Sequence, residues 1–167
     1  QLNPPVRDIS HQTGLWDAIQ NGIVDVIGSD HAPHTKEEKE RPYPSSPSGM
    51  PGVQTSLPLL LDHVNRGRLT LERVVDLTAA GPQRIFGIMG RGRIAVGYDA
   101  DLVLVDLNAD RVITNDWIES KCGWTPFNDT KVRGWPIATI LRGKIAMQDD
   151  EILGEQLGAA ARFFETT

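Results

Sequence analysis

The sequence predicts an α/β fold that gives way to a mostly β segment near residue 90. Three observations carry this. "IVDVIG" (residues 23–28) is short, apolar and β-branched, and it follows a helical pattern, as a buried parallel strand of an α/β protein does. Helical periodicity then dominates as far as Gly87. Beyond it, short β-type runs alternate with Gly and Asp turns.

The elements follow in order. "NPPVR" (residues 3–7) must be extended or turning, because Pro4 and Pro5 fix φ and push their predecessors out of the α region. Asp8 or Ser10 can cap a helix whose apolar face is Leu15, Trp16 and Ile19, and Gly22 is placed to end it. The expected strand comes next, with Asp30 at its C-terminal end. Residues 31–53 are polar and rich in Pro, Gly and Ser, and a loop of that length is usually functional. "EEKER" within it reads as a solvated charged loop. Leu57, Leu60, Leu61 and Val64 mark a second helix. Thr70 caps a third, with Leu71, Val74 and Val75 as its core face, and "AAGPQRIFG" closes the helical section. "GRGRIAVGYDADLVLVDL" reads as short strands. "KCGWTPFNDTKVRGWP" reads as an irregular loop holding Trp124 and Trp135, and "ATILRGKIAMQDDEIL" as two hairpin-linked strands plus a third short one.

Composition narrows the function classes. Of 167 residues, 40% are hydrophobic and the net charge is −5, with basic residues scattered rather than gathered in a stripe, so no nucleic-acid surface is expected. No apolar run approaches the roughly 20 residues that span a bilayer, so no membrane partner is expected. The single cysteine, Cys122, excludes an internal disulfide. It fits a reducing compartment, and the first residues lack a signal-peptide pattern, so a cytoplasmic protein is expected. The chain starts on Gln1 and meets "NPPVR" two residues later, so a piece of a longer protein is expected.

Asp30 is the leading candidate for chemistry. Sites of α/β proteins sit at the C-terminal ends of strands, where a carboxylate can bind a metal or act as a general base, although Asp also caps turns there. Side chains alternate along a strand, so His31 should face away from Asp30 and make a structural hydrogen bond. His34, beyond the stiff Ala32–Pro33 step, could return over the pocket and hold an anion. "SPSGMPG" (residues 46–52) could bring backbone amides close to a small ligand, or be a plain surface turn. His11 and His63 read as surface residues, and Cys122 as a small buried hydrophobe. No HxH, HExxH or CxxC is present. One carboxylate is short of the about three or four protein ligands of a zinc site, so any companions of Asp30 are expected upstream of Gln1.

"NPPVR", "DVIGSDHAPHTKEEK" and "PSGMPGVQT", in that order and spacing, resemble the C-terminal part of the class I dihydroorotases of the amidohydrolase superfamily. "GRIAVGYDADLVLVDL" resembles that superfamily's β-sandwich segment. The resemblance implies the C-terminal part of a metal-dependent (β/α)8 TIM-type barrel in residues 1–90. It implies the C-terminal share of a small β-sandwich, with a tail, in residues 91–167. It implies reversible hydrolysis of dihydroorotate to carbamoyl aspartate in pyrimidine biosynthesis, with one or two zinc ions. Asp30 would ligate zinc and act as base and acid. Asn3 would bind the substrate and His34 would reach its carboxylate. Ser48 and Gly49 would present backbone groups to the ring. Many relatives carry an aromatic residue at position 48 and Glu at position 54, so Ser48 would serve through its backbone. The partners implied are a small-molecule substrate and, for the full-length protein, further copies of itself in a homo-oligomer.

Three other readings belong beside this one. A hydantoinase, dihydropyrimidinase or allantoinase would share the chemistry without the ring carboxylate that His34 suits. A non-catalytic homologue serving as a subunit in an assembly would have no chemical need for Asp30, His34 and Asn3. A stand-alone binding module would leave the edge of its opening strand and a large apolar face uncovered.

Overall fold

The computed structural model describes residues 1–154 and 157–164. Helices come first: α1 (Ser10–Gln20), α2 (Lys36–Lys39), α3 (Val53–Asn65) and α4 (Leu71–Val75). A π-helical turn at Asp76–Ala80 runs on into α5 (Gly81–Phe86). An antiparallel sheet follows, in the order β1 (Leu102–Ile113), β2 (Thr130–Leu141), β3 (Lys144–Gln148) and β4 (Glu151–Ile152). A 3-10 turn at Asn115–Trp117 leaves β1.

Several elements form for the reasons their residues suggest. The N–H of Ser10 bonds the Asp8 carboxylate at 2.9 Å, which opens α1. Gly22 takes φ +75, and the N–H of Ile23 reaches back to the carbonyl of Ala18 at 2.9 Å, a Schellman ending. The Thr70 hydroxyl accepts from the N–H of Arg73 at 3.1 Å and caps α4. The hairpins turn on Arg142–Gly143 and Asp149–Asp150, both pairs at positive φ, as two-residue type I′ turns require.

α3 joins the two halves of the core. One face packs Leu60 against Leu69 and Val74, with Trp16, Ile19 and Ile27 around them. On the sheet side, Leu59 packs against the cluster of Ile113, Val132 and Trp135. Close approach to β2 depends on Gly134: a Cβ there would lie 2.6 Å from the Cβ of Leu61. Asn65 then donates to the carbonyls of Leu107 and Arg133 at 3.0 and 2.8 Å.

Other expectations need correction. Residues 23–28 are extended but belong to no strand ladder among the described residues. Their polar groups bond instead to Ala18, Leu77 and Arg73, because a parallel strand needs partners from distant sequence. "EEKER" is not simply loop: Thr35 and Glu38 form a capping box that nucleates α2. Val75 is exposed and Leu77 is buried in its place, since the π turn rotates the apolar face. Leu15 is likewise exposed. Residues 93–101 hold no strand, and Ile94 and Val96 point outward. Trp135 sits inside β2 rather than in a loop. His63 is no surface residue: it meets the Trp16 ring edge-on at 4.4 Å, and its Nδ1 is buried without a partner. Cys122 is only half-buried, with its thiol 3.3 Å from the Ser120 hydroxyl. No helix among the described residues is long and apolar enough to cross a membrane.

Candidate active site

The extended segment 23–30 is held from behind by the helices. Gly81 makes this possible, because a Cβ there would lie 2.3 Å from the carbonyl oxygen of Asp25. Ile27 anchors the segment in the core beside α3 and α4. At its end Asp30 adopts φ +46, in the left-handed region. That conformation costs an L-residue about 1–2 kcal/mol, less for Asp, and such kinks gather at functional sites. Asp30 is exposed at the end of this extended segment.

His31 is spoken for. Its Nδ1 accepts the N–H of Gly52 at 3.0 Å and faces the N–H of Val53 at 3.3 Å, so it caps α3. That nitrogen must be unprotonated and cannot also ligate a metal. The expected structural hydrogen bond is therefore found, with the α3 N-terminus as its partner.

The loop 46–52 runs alongside. His31 and Met50 form a parallel bridge, and the N–H of Ala32 bonds the carbonyl of Met50 at 3.0 Å. Gly49 is buried at φ +123, where a Cβ would lie 2.6 Å from the carbonyl oxygen of Ala32. No other residue fits there without moving backbone. His34 is drawn to the same loop: its Nε2 lies 3.1 Å from the Ser48 carbonyl and its Nδ1 3.6 Å from the Glu38 carboxylate. Asn3 arrives through its neighbours. The N–H of Gly49 bonds the carbonyl of Gln1 at 3.2 Å. The Lys39 ammonium donates to the carbonyls of Gln1 and Pro47 at 2.9 and 2.8 Å.

The structure thus brings His34, Ser48 and Gly49 into one contact group and ties the segment bearing Asn3 to it. Asp30 stands beside this group through His31. Among the described residues no group of three or more His, Cys, Asp or Glu could hold a metal ion. The described residues therefore do not by themselves make up a zinc site, which takes about three or four protein ligands.

Sequence reasoning gives no role in this region to five residues that build it. The Thr35-x-x-Glu38 spacing is a capping-box signal and was legible. Lys39, Gln54 and Trp124 carry no such signal, because each acts on a carbonyl or amide distant in sequence.

The chain is similar to known proteins in sequence and fold. The model of the amidohydrolase family matches residues 8–146. The dihydroorotase of Pyrococcus abyssi is 46% identical over 158 residues, covering 95% of this chain and 37% of that protein. The dihydroorotase of Halobacterium salinarum is 45% identical over 152 residues, covering 91% and 36%. The solved L-hydantoinase (dihydropyrimidinase) from Arthrobacter aurescens superposes with a TM-score of 0.88 at 36% identity, covering 93% of this chain and 36% of that one. The chain thus spans little more than a third of the relatives it matches. On these matches this chain, with its kinked aspartate at the end of segment 23–30 and its small antiparallel sheet over residues 102–152, belongs to the amidohydrolase family.

Proposed function

We propose that this chain is the C-terminal part of a dihydroorotase, a zinc-dependent enzyme that reversibly hydrolyses the cyclic amide dihydroorotate to carbamoyl aspartate. Residues 1–90 would be the last strands and closing helices of a (β/α)8 barrel, and residues 91–167 the C-terminal share of the sandwich and a tail. The observation that carries the reading is the identity of 41–46% to four dihydroorotases. Geometry supports it. The unpaired segment 23–28 and the exposed Val6, Ile9 and Ile23 are what barrel elements show when the neighbouring strands lie elsewhere.

In this reading Asp30 supplies one ligand to zinc, which when bound polarises the amide carbonyl and lowers the pKa of water. Asp30 takes the proton of the attacking water and delivers it to the ring nitrogen as the C–N bond breaks. His34 pairs with the substrate carboxylate. Asn3 and the backbone of Ser48 and Gly49 hold the ring. Further copies of the chain in a homo-oligomer belong to the same proposal.

The second reading, a hydantoinase, is favoured by the L-hydantoinase of Paenarthrobacter aurescens, 38% identical over 161 residues. An assay of the complete natively encoded protein, zinc-loaded, separates the two. Dihydroorotate should be preferred over hydantoin in kcat/KM by about a hundredfold or more, since a site built for a carboxylate rejects a ring lacking one. Preference for hydantoin would establish the second reading. Turnover of neither would leave a non-catalytic homologue.

A further inference from the structure

Trp124 reaches into the candidate site from the loop between β1 and β2. Its Nε1–H donates to the carbonyl of His34 at 2.7 Å, across 90 positions of sequence. The first helical bond of α2 goes to the carbonyl of Thr35, from the N–H of Lys39 at 3.1 Å. The His34 carbonyl precedes the Thr35 cap and lies outside that helix's hydrogen-bond ladder, and the indole is its donor.

The loop bearing the indole is itself pinned. The Gln54 amide of α3 donates to the carbonyl of Trp117 at 2.7 Å and accepts from the N–H of Glu119 at 2.9 Å. Thr125 is 4% exposed, and its N–H bonds the Asn115 side chain at 2.9 Å. A cavity of about 240 Å³, lined by His31, Gly52, Gln54, Ile118 and Ser120, lies between part of this loop and the start of α3. These hydrogen bonds, with the packing of Trp117 and Phe127 on Ile113, Val132 and Trp135, set where the loop stands.

We infer that Trp124 is a positioning residue: by holding the peptide after His34 it sets how the imidazole faces the substrate carboxylate. This rests on the role given to His34 under the proposed function. The indole touches no reacting atom. Its effect should fall on the binding of carboxylate-bearing substrates and leave the chemical step alone.

The test uses the complete natively encoded protein with Trp124→Phe, which keeps an aromatic ring and removes the donor, beside His34→Ala. Loss of one hydrogen bond should raise KM for dihydroorotate about three- to tenfold. The expected pattern has kcat and KM for hydantoin unchanged, and no further rise when Trp124→Phe is added to His34→Ala. An unchanged KM for dihydroorotate in Trp124→Phe, with His34→Ala raising it, overturns the inference alone. An equal rise for both substrates overturns it too, since that is the mark of a merely structural role. If His34→Ala leaves KM unchanged, the reading of His34 fails and the inference falls with it. Should Trp124→Phe fail to fold, benzothienylalanine at position 124, isosteric with Trp but lacking the N–H, is judged by the same criteria.

Discussion

The imidazole of His31 accepts the backbone N–H of Gly52 at 3.0 Å, so the residue next to Asp30 is the cap of α3. The end of segment 23–30, loop 46–52 and α3 are locked together at one ring. His31→Ala should leave the N–H groups of Gly52 and Val53 without that acceptor and cost about 1–2 kcal/mol. His31→Asn, whose amide oxygen can accept, should recover part of the loss. Urea unfolding of the complete protein measures both, and equal stability of all three forms would dismiss the cap.

Gly49 is the tightest point of the loop. Gly49→Ala places a Cβ 2.6 Å from the carbonyl oxygen of Ala32 at φ +123. The expected result is a loss of about 2 kcal/mol or more and weakened substrate binding. Gly90, at φ +65 with open space around its missing Cβ, is the control, where alanine should cost about 1 kcal/mol. Thermal melts of the two variants decide whether contact or conformation dominates.

Asp30→Asn should keep the fold, because Asn tolerates φ +46 as Asp does. It should lower turnover by about 10²–10⁴-fold, the usual contribution of a general base. Near-normal turnover would remove Asp30 from the chemistry.

His63 makes stability depend on pH. Burial, reinforced by the Arg68 guanidinium, holds its imidazole below the ordinary histidine value; Asp62 opposes this and Arg66 adds to it. The neutral ring is the folded form. Its contribution is whole above the unfolded value of about 6.5 and is lost as pH falls from there to the depressed folded value. His63→Phe keeps an aromatic contact with Trp16 and should flatten that part of the profile, as denaturation between pH 7 and pH 5 would reveal.

Much of this was legible because it is local. The Gly22 ending, the Thr70 cap, the apolar face of α3 and the paired hairpin turns follow from residues within a few positions of one another. What escaped is set by distance. Residues 23–28 read as a strand, yet their partners are not nearby sequence, and they bond to helices. Trp135 looked like loop because bulges interrupt the alternation of β1 and β2. Ser48 and Gly49 could be named as candidates, but the contact that joins them to His34 depends on a Cβ that Gly49 lacks.

Asp150, at φ +68 in the β3–β4 turn, accepts from the indole N–H of both Trp117 and Trp135, at 2.9 and 2.8 Å, and holds their rings 4.5 Å apart. Two chromophores that close share their excited states. The molecule therefore carries its own optical gauge, an exciton couplet in circular dichroism that reports whether the terminal hairpin is seated. Asp150→Ala should abolish the couplet, and its disappearance during gentle warming would time the release of that hairpin against loss of the helical signal.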